Sequence, residues 1–536
     1  MLDLSLEPTD DLARPAFKDE ASCRVWLQQL QLTNLHQAHS ILRLHLDEFN
    51  RYPMRGAERL YALELLRETI VPVQADYAKK LLSKKLPFNA DELTIFAAIT
   101  GLWQSLATGY RRCLQAYLAG DKQLAESGVL LTQRSLRYSG LQLLEYLRHG
   151  YEFNPQLWQQ LHALFAFAEQ RGFQRQTVRD ELHSPNHPCT CQAVWVKTLL
   201  TCHAHPAELT RAQVQLLDDW LNKWSDGIEI DRQCKVSAED APPLAVDLSS
   251  SSGLRPAKLV TASADMRFLA MVPLSKLLRV KTILLQQGQS PQQLELGECN
   301  SADCGEFLKT LHCYLCESNV DRQAERRTVA QSAQVCFGIE GIYAHIAGKP
   351  FKQPKRDAAA ERLIQTQIAA FGQVLADSPR QGAGQPGLAL ESWQIENESL
   401  LGAKMLRESA QGERVGVHQL VALKPNDAKA FMLGKVSWVI VTHSGQLRMG
   451  VQYFPGIAQP VLLQKKGLKS TLAIAALLLP AVPALKTPAS LILPRDFFQP
   501  EHLADITDLD DKHQTVKMGF SVAKGIDFER VSFTSG

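Results

Sequence analysis

The stretch WQIENESLLGAKM, residues 393–405, contains an N-x-S-x-x-G turn pattern that begins at Asn397. Two strand-like segments follow it, GKVSWVIV at residues 434–441 and LRMGVQYF at residues 447–454. From Gln334 onward apolar residues alternate with a period of two, which is typical of half-buried strands. This order predicts that β-structure dominates the second half of the chain.

A second short motif, Arg322-x-x-x-Arg326, lies upstream in DRQAERR, residues 321–327. Arginines four positions apart lie on the same side of a helical segment, so both side chains could contact one ligand. The residues alone leave another interpretation open. The arginines could form a solvated run paired with Asp321 and Glu325, and the N-x-S-x-x-G pattern could be a plain hairpin turn.

Taken in this order, with Gly416-Val-x-x-Leu between the turn and the strands, the motifs resemble the PilZ family of bacterial β-barrel receptors for cyclic di-GMP. The resemblance covers roughly residues 318–465 and implies an antiparallel β-barrel there. A helix-like insertion at 356–379 departs from the compact family barrel. The resemblance also implies that the protein binds cyclic di-GMP, needs no other cofactor and catalyses no reaction.

Carried over residue by residue, the resemblance assigns the ligand contacts to Arg322, Arg326, Arg327, Asn397, Ser399 and Gly402. A guanidinium can donate paired hydrogen bonds to a phosphate or to the N7 and O6 edge of guanine, and it can stack on a base. Arg327 is a third contact, or the second one if the register slips by a residue. The Asn and Ser side chains can hydrogen-bond the guanine, and a glycine allows close backbone approach.

Length and charge limit the class of protein. At 536 residues the chain is too long for one core, so about two to four domains are expected. A formal net charge of only +2 argues against a protein that coats a nucleic acid polymer or an anionic membrane.

The acidic start of the chain lacks the basic-then-apolar order of a secretory signal, which predicts a cytoplasmic protein. The apolar run at 472–485 contains two prolines and is shorter than the ~20 residues of a membrane span, so it predicts buried strands. Eleven cysteines in such a chain indicate reduced thiols.

Residues 1–236 have a helical period and predict helical hairpins. In the clearest helix Asn89 is the predicted N-cap, Glu92 completes a capping box and Gly120 ends the helix. A second helix should begin after Asn154 and end at Gly172. No fixed repeat of about 34 residues is present, so only the general style of a tetratricopeptide-type array is indicated.

The remaining boundaries follow from composition. Residues 237–256 are rich in Pro and Ser and predict a linker or exposed loop, and residues 257–317 predict a helical connector. The barrel should occupy 318–465, and residues 466–536 predict a C-terminal β extension, either a second layer or a half-barrel. The predicted fold class is therefore α+β and multidomain, with an α-helical N-terminal region before an antiparallel β-barrel.

Two clusters in the chain contain the residue types that bind metal ions. The first consists of His183, His187, Cys189, Cys191, Cys202, His203 and His205, and the second of Cys299, Cys304, Cys313 and Cys316. Their spacings are not standard for zinc apart from one C-x-x-C, and helical placement makes these cysteines core residues. The main hypothesis is a receptor that couples cyclic di-GMP binding to a protein partner through the helical region. One alternative is a helical adaptor with a structural barrel that binds nothing. Another is a metal-dependent enzyme that uses the cluster at 183–205.

Overall fold

The computed structural model describes residues 2–4, 6–183, 185, 187, 189–235, 241–317, 327–353, 389–466 and 473–536. They divide into two compact units. The first comprises Met1–Lys84 with Phe88–Asp321, and the second comprises Lys85–Pro87 with Arg322–Gly536. An α-helical region is thus followed by a β-rich region, as the sequence predicts.

The first unit is an array of helices around one core. The helices within its described residues are α1 (Glu20–Gln29), α2 (Leu35–Arg51), α3 (Gly56–Ala78), α4 (Ala90–Leu118), α5 (Gly128–His149), α6 (Gln156–Gln170), α7 (Cys191–His203), α8 (Arg211–Trp224), α9 (Val272–Gln286) and α10 (Ser301–Cys316). None of the described helices is long and apolar enough to cross a membrane.

Helix ends follow the local sequence closely. Asn89 caps α4 and forms the predicted capping box with Glu92, which satisfies backbone N–H groups that the helix cannot use itself. Gly120 follows α4 with φ of +90°, a conformation that glycine adopts without steric cost. The second predicted helix is α6, and the Asn154 side chain accepts a hydrogen bond from the Gln156 amide at 3.0 Å.

The predicted connector packs into the same core as the preceding helices. Phe307 of α10 lies 5.3 Å from the ring of Trp220 on α8, and the Trp220 indole donates to the Leu296 carbonyl at 3.0 Å. Trp195 of α7 is fully buried and stacks on Phe165 at 3.8 Å. The residues around 257–317 therefore contribute to the helical core instead of spanning between units.

The region predicted as a linker at 237–256 contains strands, which corrects that expectation. A four-stranded antiparallel sheet has the order β3 (Ile230–Asp231), β6 (Met266–Leu269), β4 (Leu244–Asp247) and β5 (Arg255–Pro256). Strand β4 pairs on both sides, and its first three residues are buried. A Pro- and Ser-rich composition conceals this strand because the strand is only four residues long. A further short pair joins β1 (Thr177–Val178) to β2 (Cys189–Thr190).

The second unit contains a first closed barrel of six antiparallel strands. Around the barrel they follow the order β10 (Leu420–Pro425), β11 (Met432–Val441), β12 (Leu447–Tyr453), β9 (Gly402–Arg407), β8 (Glu391–Ser399) and β7 (Arg327–Phe337). The segments GKVSWVIV and LRMGVQYF are the paired strands β11 and β12, as predicted. An isolated bridge joins Leu86 to Val415 in the same unit. The predicted helical insertion at 356–379 lies outside the described residues.

The C-terminal extension is a complete second barrel, also of six antiparallel strands. Its order is β13 (Gln459–Lys465), β14 (Ile474–Leu479), β15 (Ser490–Pro494), β18 (Phe528–Ser535), β17 (His513–Lys524) and β16 (Leu503–Thr507). Two expectations are corrected here. The extension closes fully, and Gln459–Lys465, assigned to the first barrel by its predicted end at 465, pairs with β14 and β16 of the second. The apolar run at 472–485 supplies the buried strand β14.

Within the described part of the β-rich region, an α-helix follows the first strand. The alternation through Val335, Phe337 and Ile339 predicts a strand, but β7 ends at Phe337 and α11 spans Ile339–Ala347. Gly338, with φ of +75°, makes the change of direction. Buried residues of α11 join a core that the two barrels share, formed by Cys336, Ile339, Ile342, Tyr343, Leu420, Ala422, Leu433, Phe454, Ala458, Ala475, Leu477, Leu479, Ile492 and Phe528.

Candidate functional site

The described members of both sequence motifs lie at one end of the first barrel. Arg327 is the first residue of β7 and pairs with Glu398 of β8, and Thr328 pairs with Asn397. Ser399, the last residue of β8, pairs with Gly402, the first residue of β9. The barrel thus brings together segments about 70 residues apart in the chain. Arg322 and Arg326 lie outside the described residues. Arg327 is exposed at the start of its strand.

Asn397 has unused hydrogen-bonding capacity at this end of the barrel. Its carboxamide oxygen Oδ1 is buried and has no hydrogen-bond partner among the described residues. Irregularities in register lie on both sides of it, between Ile395 and Asn397 on β8 and between Thr328 and Gln331 on β7. Such bulges re-aim side chains at the rims of barrels. A buried, unpaired carbonyl oxygen costs free energy unless a donor reaches it.

Ser399 and Gly402 shape the turn between β8 and β9. The Ser399 hydroxyl donates to the Gly402 carbonyl at 3.3 Å and accepts from the Leu401 amide at 3.4 Å. A Cβ on Gly402 would lie 2.1 Å from the carbonyl oxygen of Val451 on β12. The hydroxyl therefore holds the turn, and glycine is required by the close approach of two strands. The side chain of Leu400 at the tip is 77% exposed.

Charged side chains from neighbouring strands complete this end of the barrel. Glu396 of β8 forms ion pairs with Lys404 of β9 at 2.7 Å and with Arg448 of β12 at 3.2 Å. Burial would raise the pKa of Glu396, but the hydrogen bond and charge of Lys404, helped by Arg448, hold it below its ordinary value. This ion-pair group places one cation on β9, directly across from Asn397, and a second on β12, the next strand around the barrel.

Tyr453, at the end of β12, is also held there. Its hydroxyl donates to Glu398 at 2.9 Å, and Glu398 is the cross-strand neighbour of Arg327. Burial, together with the nearby Glu398 charge, raises the pKa of Tyr453 well above its ordinary value, so the hydroxyl stays protonated and donates. Sequence reasoning missed Glu396, Glu398, Lys404, Arg448 and Tyr453. They become neighbours only through strand pairing, and no local motif marks them.

The His and Cys groups do not assemble a metal centre in the part of the chain that the structure describes: no three or more His, Cys, Asp or Glu side chains there are arranged to hold an ion. Cys189 instead accepts hydrogen bonds from Arg137 at 2.7 Å and Gln133 at 2.8 Å. His183 contacts Asp180 at 3.3 Å. The expectation of reduced thiols is corrected at one place, because Cys299 and Cys304 form a disulfide, whereas Cys313 and Cys316 are free.

The fold and this barrel end define a class: a multidomain protein with a helical region and β-barrels, one of which gathers polar and charged side chains at one end. Comparison with known proteins gives two family matches. Residues 21–234 match the family described as "Cyclic-di-GMP receptor FimW, N-terminal domain", and residues 461–535 match the "FimW C-terminal beta-barrel domain". The second match corresponds to the barrel formed by β13 to β18.

The chain is also similar to a particular protein over most of its length. It is 24% identical over 525 residues to "Cyclic-di-GMP receptor FimW" of Pseudomonas aeruginosa. The similarity covers 89% of this chain and 84% of that protein. It therefore extends across the helical region and both barrels.

Proposed function

We propose that this protein is a receptor for cyclic di-GMP and that the ligand binds at the end of the first barrel where β7 begins and β8 turns into β9. The observation that carries this assignment is the buried Asn397 oxygen without a partner among the described residues. Guanine presents N–H donors, including its N2 amino group, that could satisfy this acceptor. The similar protein from Pseudomonas aeruginosa, "Cyclic-di-GMP receptor FimW", supports the same ligand.

The contacts proposed for the ligand are those of the sequence motifs. Arg322, Arg326 and Arg327 would bind the phosphates or the guanine edges, and Asn397 with Ser399 would contact a base. Because the Ser399 hydroxyl already holds the turn, its contribution is to position Asn397 as well as to contact the ligand. The resemblance to PilZ receptors supports this set of residues.

The remaining parts of the proposal concern the whole chain. We propose that it catalyses no reaction, acts in the cytoplasm and transmits ligand binding to a protein partner through the helical region 1–236. The barrel formed by β7 to β12 would be the PilZ-type receptor barrel, followed along the chain by the C-terminal barrel. No nucleic acid polymer is proposed as a partner, in keeping with the net charge of +2.

Calorimetric titration of the full-length protein with cyclic di-GMP tests the proposal. Replacing Arg322, Arg326 or Asn397 by alanine should each weaken binding about ten- to a hundredfold, because a hydrogen bond to a charged or buried group contributes about 1.5–3 kcal/mol. Asn397→Asp keeps the acceptor oxygens and should retain more affinity than Asn397→Ala.

The matched control for the arginine variants is Arg495→Ala, since that side chain is 54% exposed on the second barrel. It should bind like the native protein. Native affinity in all three alanine variants, with their thermal unfolding unchanged, would show that the ligand binds elsewhere. The absence of any binding to the native protein would favour the helical adaptor with a structural barrel.

A further inference from the structure

A polar cavity of about 470 Å³ lies within the helical unit, well separated in sequence from the barrels. Helices α2, α4, α5 and α6 and the segment around Leu6 and Glu7 line it. Its lining is rich in long polar side chains, among them Asn50, Gln104, Gln142, Gln156 and Gln160. A volume of this size lies in the range of sites that hold a small ligand or a few residues of a peptide.

Two adjacent arginines of α4, Arg111 and Arg112, contribute to the cavity wall although they are only 6% and 7% exposed. Among the described residues, no carboxylate offsets the burial of Arg111, and the Glu7 charge partly offsets that of Arg112. The Nε atom of each is buried and has no partner there. Burial, strengthened by the Arg112 charge, lowers the pKa of Arg111 to about 10. Burial also lowers the pKa of Arg112, against the opposing effect of the Glu7 charge. Two adjacent buried guanidinium groups that share this one nearby carboxylate are costly, which favours a further anion in the cavity.

The other arginines of the cavity are already paired. Arg43 lies 3.7 Å from Asp47 of the same helix, and Arg51 contacts both Glu48 and Asp10. The positive charge available to an incoming group is therefore centred on Arg111, together with Arg112, whose charge Glu7 offsets only in part.

These two arginines already bind polypeptide main chain. Arg111 donates to the Leu4 carbonyl at 3.2 Å, and Arg112 donates to the Glu7 carbonyl at 2.8 Å. Leu4 is buried in the helical core, so this N-terminal segment is a fixed wall of the cavity. The spacing of the two guanidinium groups thus matches acceptors three residues apart along a non-helical chain. Arg111 also donates to the side-chain oxygen of Gln160 at 3.0 Å, and this contact orients the Gln160 carboxamide.

We propose that this cavity is a docking site for an extended acidic segment of a protein partner, whose carboxylates pair with Arg111 and Arg112. The glutamine and asparagine amides of the lining would hydrogen-bond its main chain, and arrays of helical hairpins characteristically bind partners in such concave surfaces. The inference gives a chemical identity to the partner in the proposed function. It does not require that cyclic di-GMP binds the barrel.

The test uses the full-length protein and fluorescein-labelled hexapeptides in which Asp and Ala alternate, with Asn replacing Asp in a neutral control. Fluorescence anisotropy should show binding of the acidic peptide only, and affinity should fall as salt is raised. Arg111→Gln and Arg112→Gln should each weaken binding at least about tenfold, as expected for loss of a charge-assisted contact.

A pair of glutamine variants keeps the test valid if the arginine variants do not fold. Gln104 is exposed and lines the cavity, whereas Gln115 is exposed on the same helix outside it. Gln104→Glu should repel the acidic peptide, and Gln115→Glu should leave its binding unchanged. Equal affinity for the acidic and neutral peptides, no binding of either, or complete competition by inorganic pyrophosphate would overturn the peptide site. Calorimetry with cyclic di-GMP on the same preparations keeps the two proposals distinct, because the cavity variants should bind the dinucleotide normally.

Discussion

Gly402, a residue of the sequence motif, is required by the barrel itself. The motif predicts a glycine that allows close approach of a ligand. In the structure the close approach is made by Val451 of the neighbouring strand, whose carbonyl lies where a side chain would begin. Gly402 also pairs with Gln452 in the ladder between β9 and β12. Its absence would therefore disturb the barrel wall next to Asn397.

Gly402→Ala should lower the free energy of unfolding by about 1–3 kcal/mol, because the added Cβ would meet a backbone atom of a paired strand that cannot turn away. Urea denaturation measures this change. The control is Gly227→Ala, a position where a Cβ meets nothing within 4 Å and the backbone is not in a left-handed conformation. Equal stability of the Gly402 variant and the native protein would show that the strands separate more easily than their pairing indicates.

The binding role of the motif residues stays a prediction, and the sequence did not predict their surroundings. The turn Asn397 to Gly402 is local, so its sequence pattern can be recognised directly. It connects β8 and β9 as a hairpin. The Glu396 ion pairs with Lys404 and Arg448 depend on register across three strands. Register is set by barrel closure and bulges, which no single segment of the sequence specifies.

At the scale of elements, the segment after β1 is fixed to the helices by one buried carboxylate. Asp180 has no exposed side-chain surface and contacts Arg67 of α3 and Arg134 of α5, the latter at 3.0 Å. Arg137 of α5 lies 3.6 Å from it. Burial would raise the pKa of Asp180, but His183 and the arginines together hold it far below its ordinary value. The sequence did not predict this network because its members are up to 113 residues apart.

Asp180→Ala should lower the free energy of unfolding by about 3–5 kcal/mol, since it leaves buried guanidinium groups without their main counter-charge. The adjacent Glu181→Ala is a close control. Glu181 is 56% exposed and pairs with an exposed Arg179, so its removal should cost no more than about 1 kcal/mol. Chemical denaturation followed by circular dichroism of the helices compares the two. Similar losses in both variants would mean that the network contributes little to stability.

At the scale of the molecule, the sequence predicted the succession of helical and β regions but not the closure of the C-terminal strands. Alternating apolar residues identify strands, and β14 and β15 are present in the predicted tail. Closure depends on pairing β13 with β16 and β15 with β18, contacts between segments distant in the chain. The shared core between the barrels is equally non-local, because α11, β10 and β14 all contribute to it.

The shared core predicts that the two barrels unfold as one cooperative unit. Phe528 at the start of β18 is fully buried, and its ring lies 5.7 Å from that of Phe454, which follows β12 of the first barrel. Phe528→Ala should therefore cost about 3–5 kcal/mol and lower hydrogen-exchange protection in the strands of both barrels together. Phe520→Ala is the matched control, because that ring is 69% exposed on β17 and its loss should leave protection unchanged. If protection falls in β13 to β18 alone, the barrels are independently stable, and a signal from the first barrel could not pass through this core.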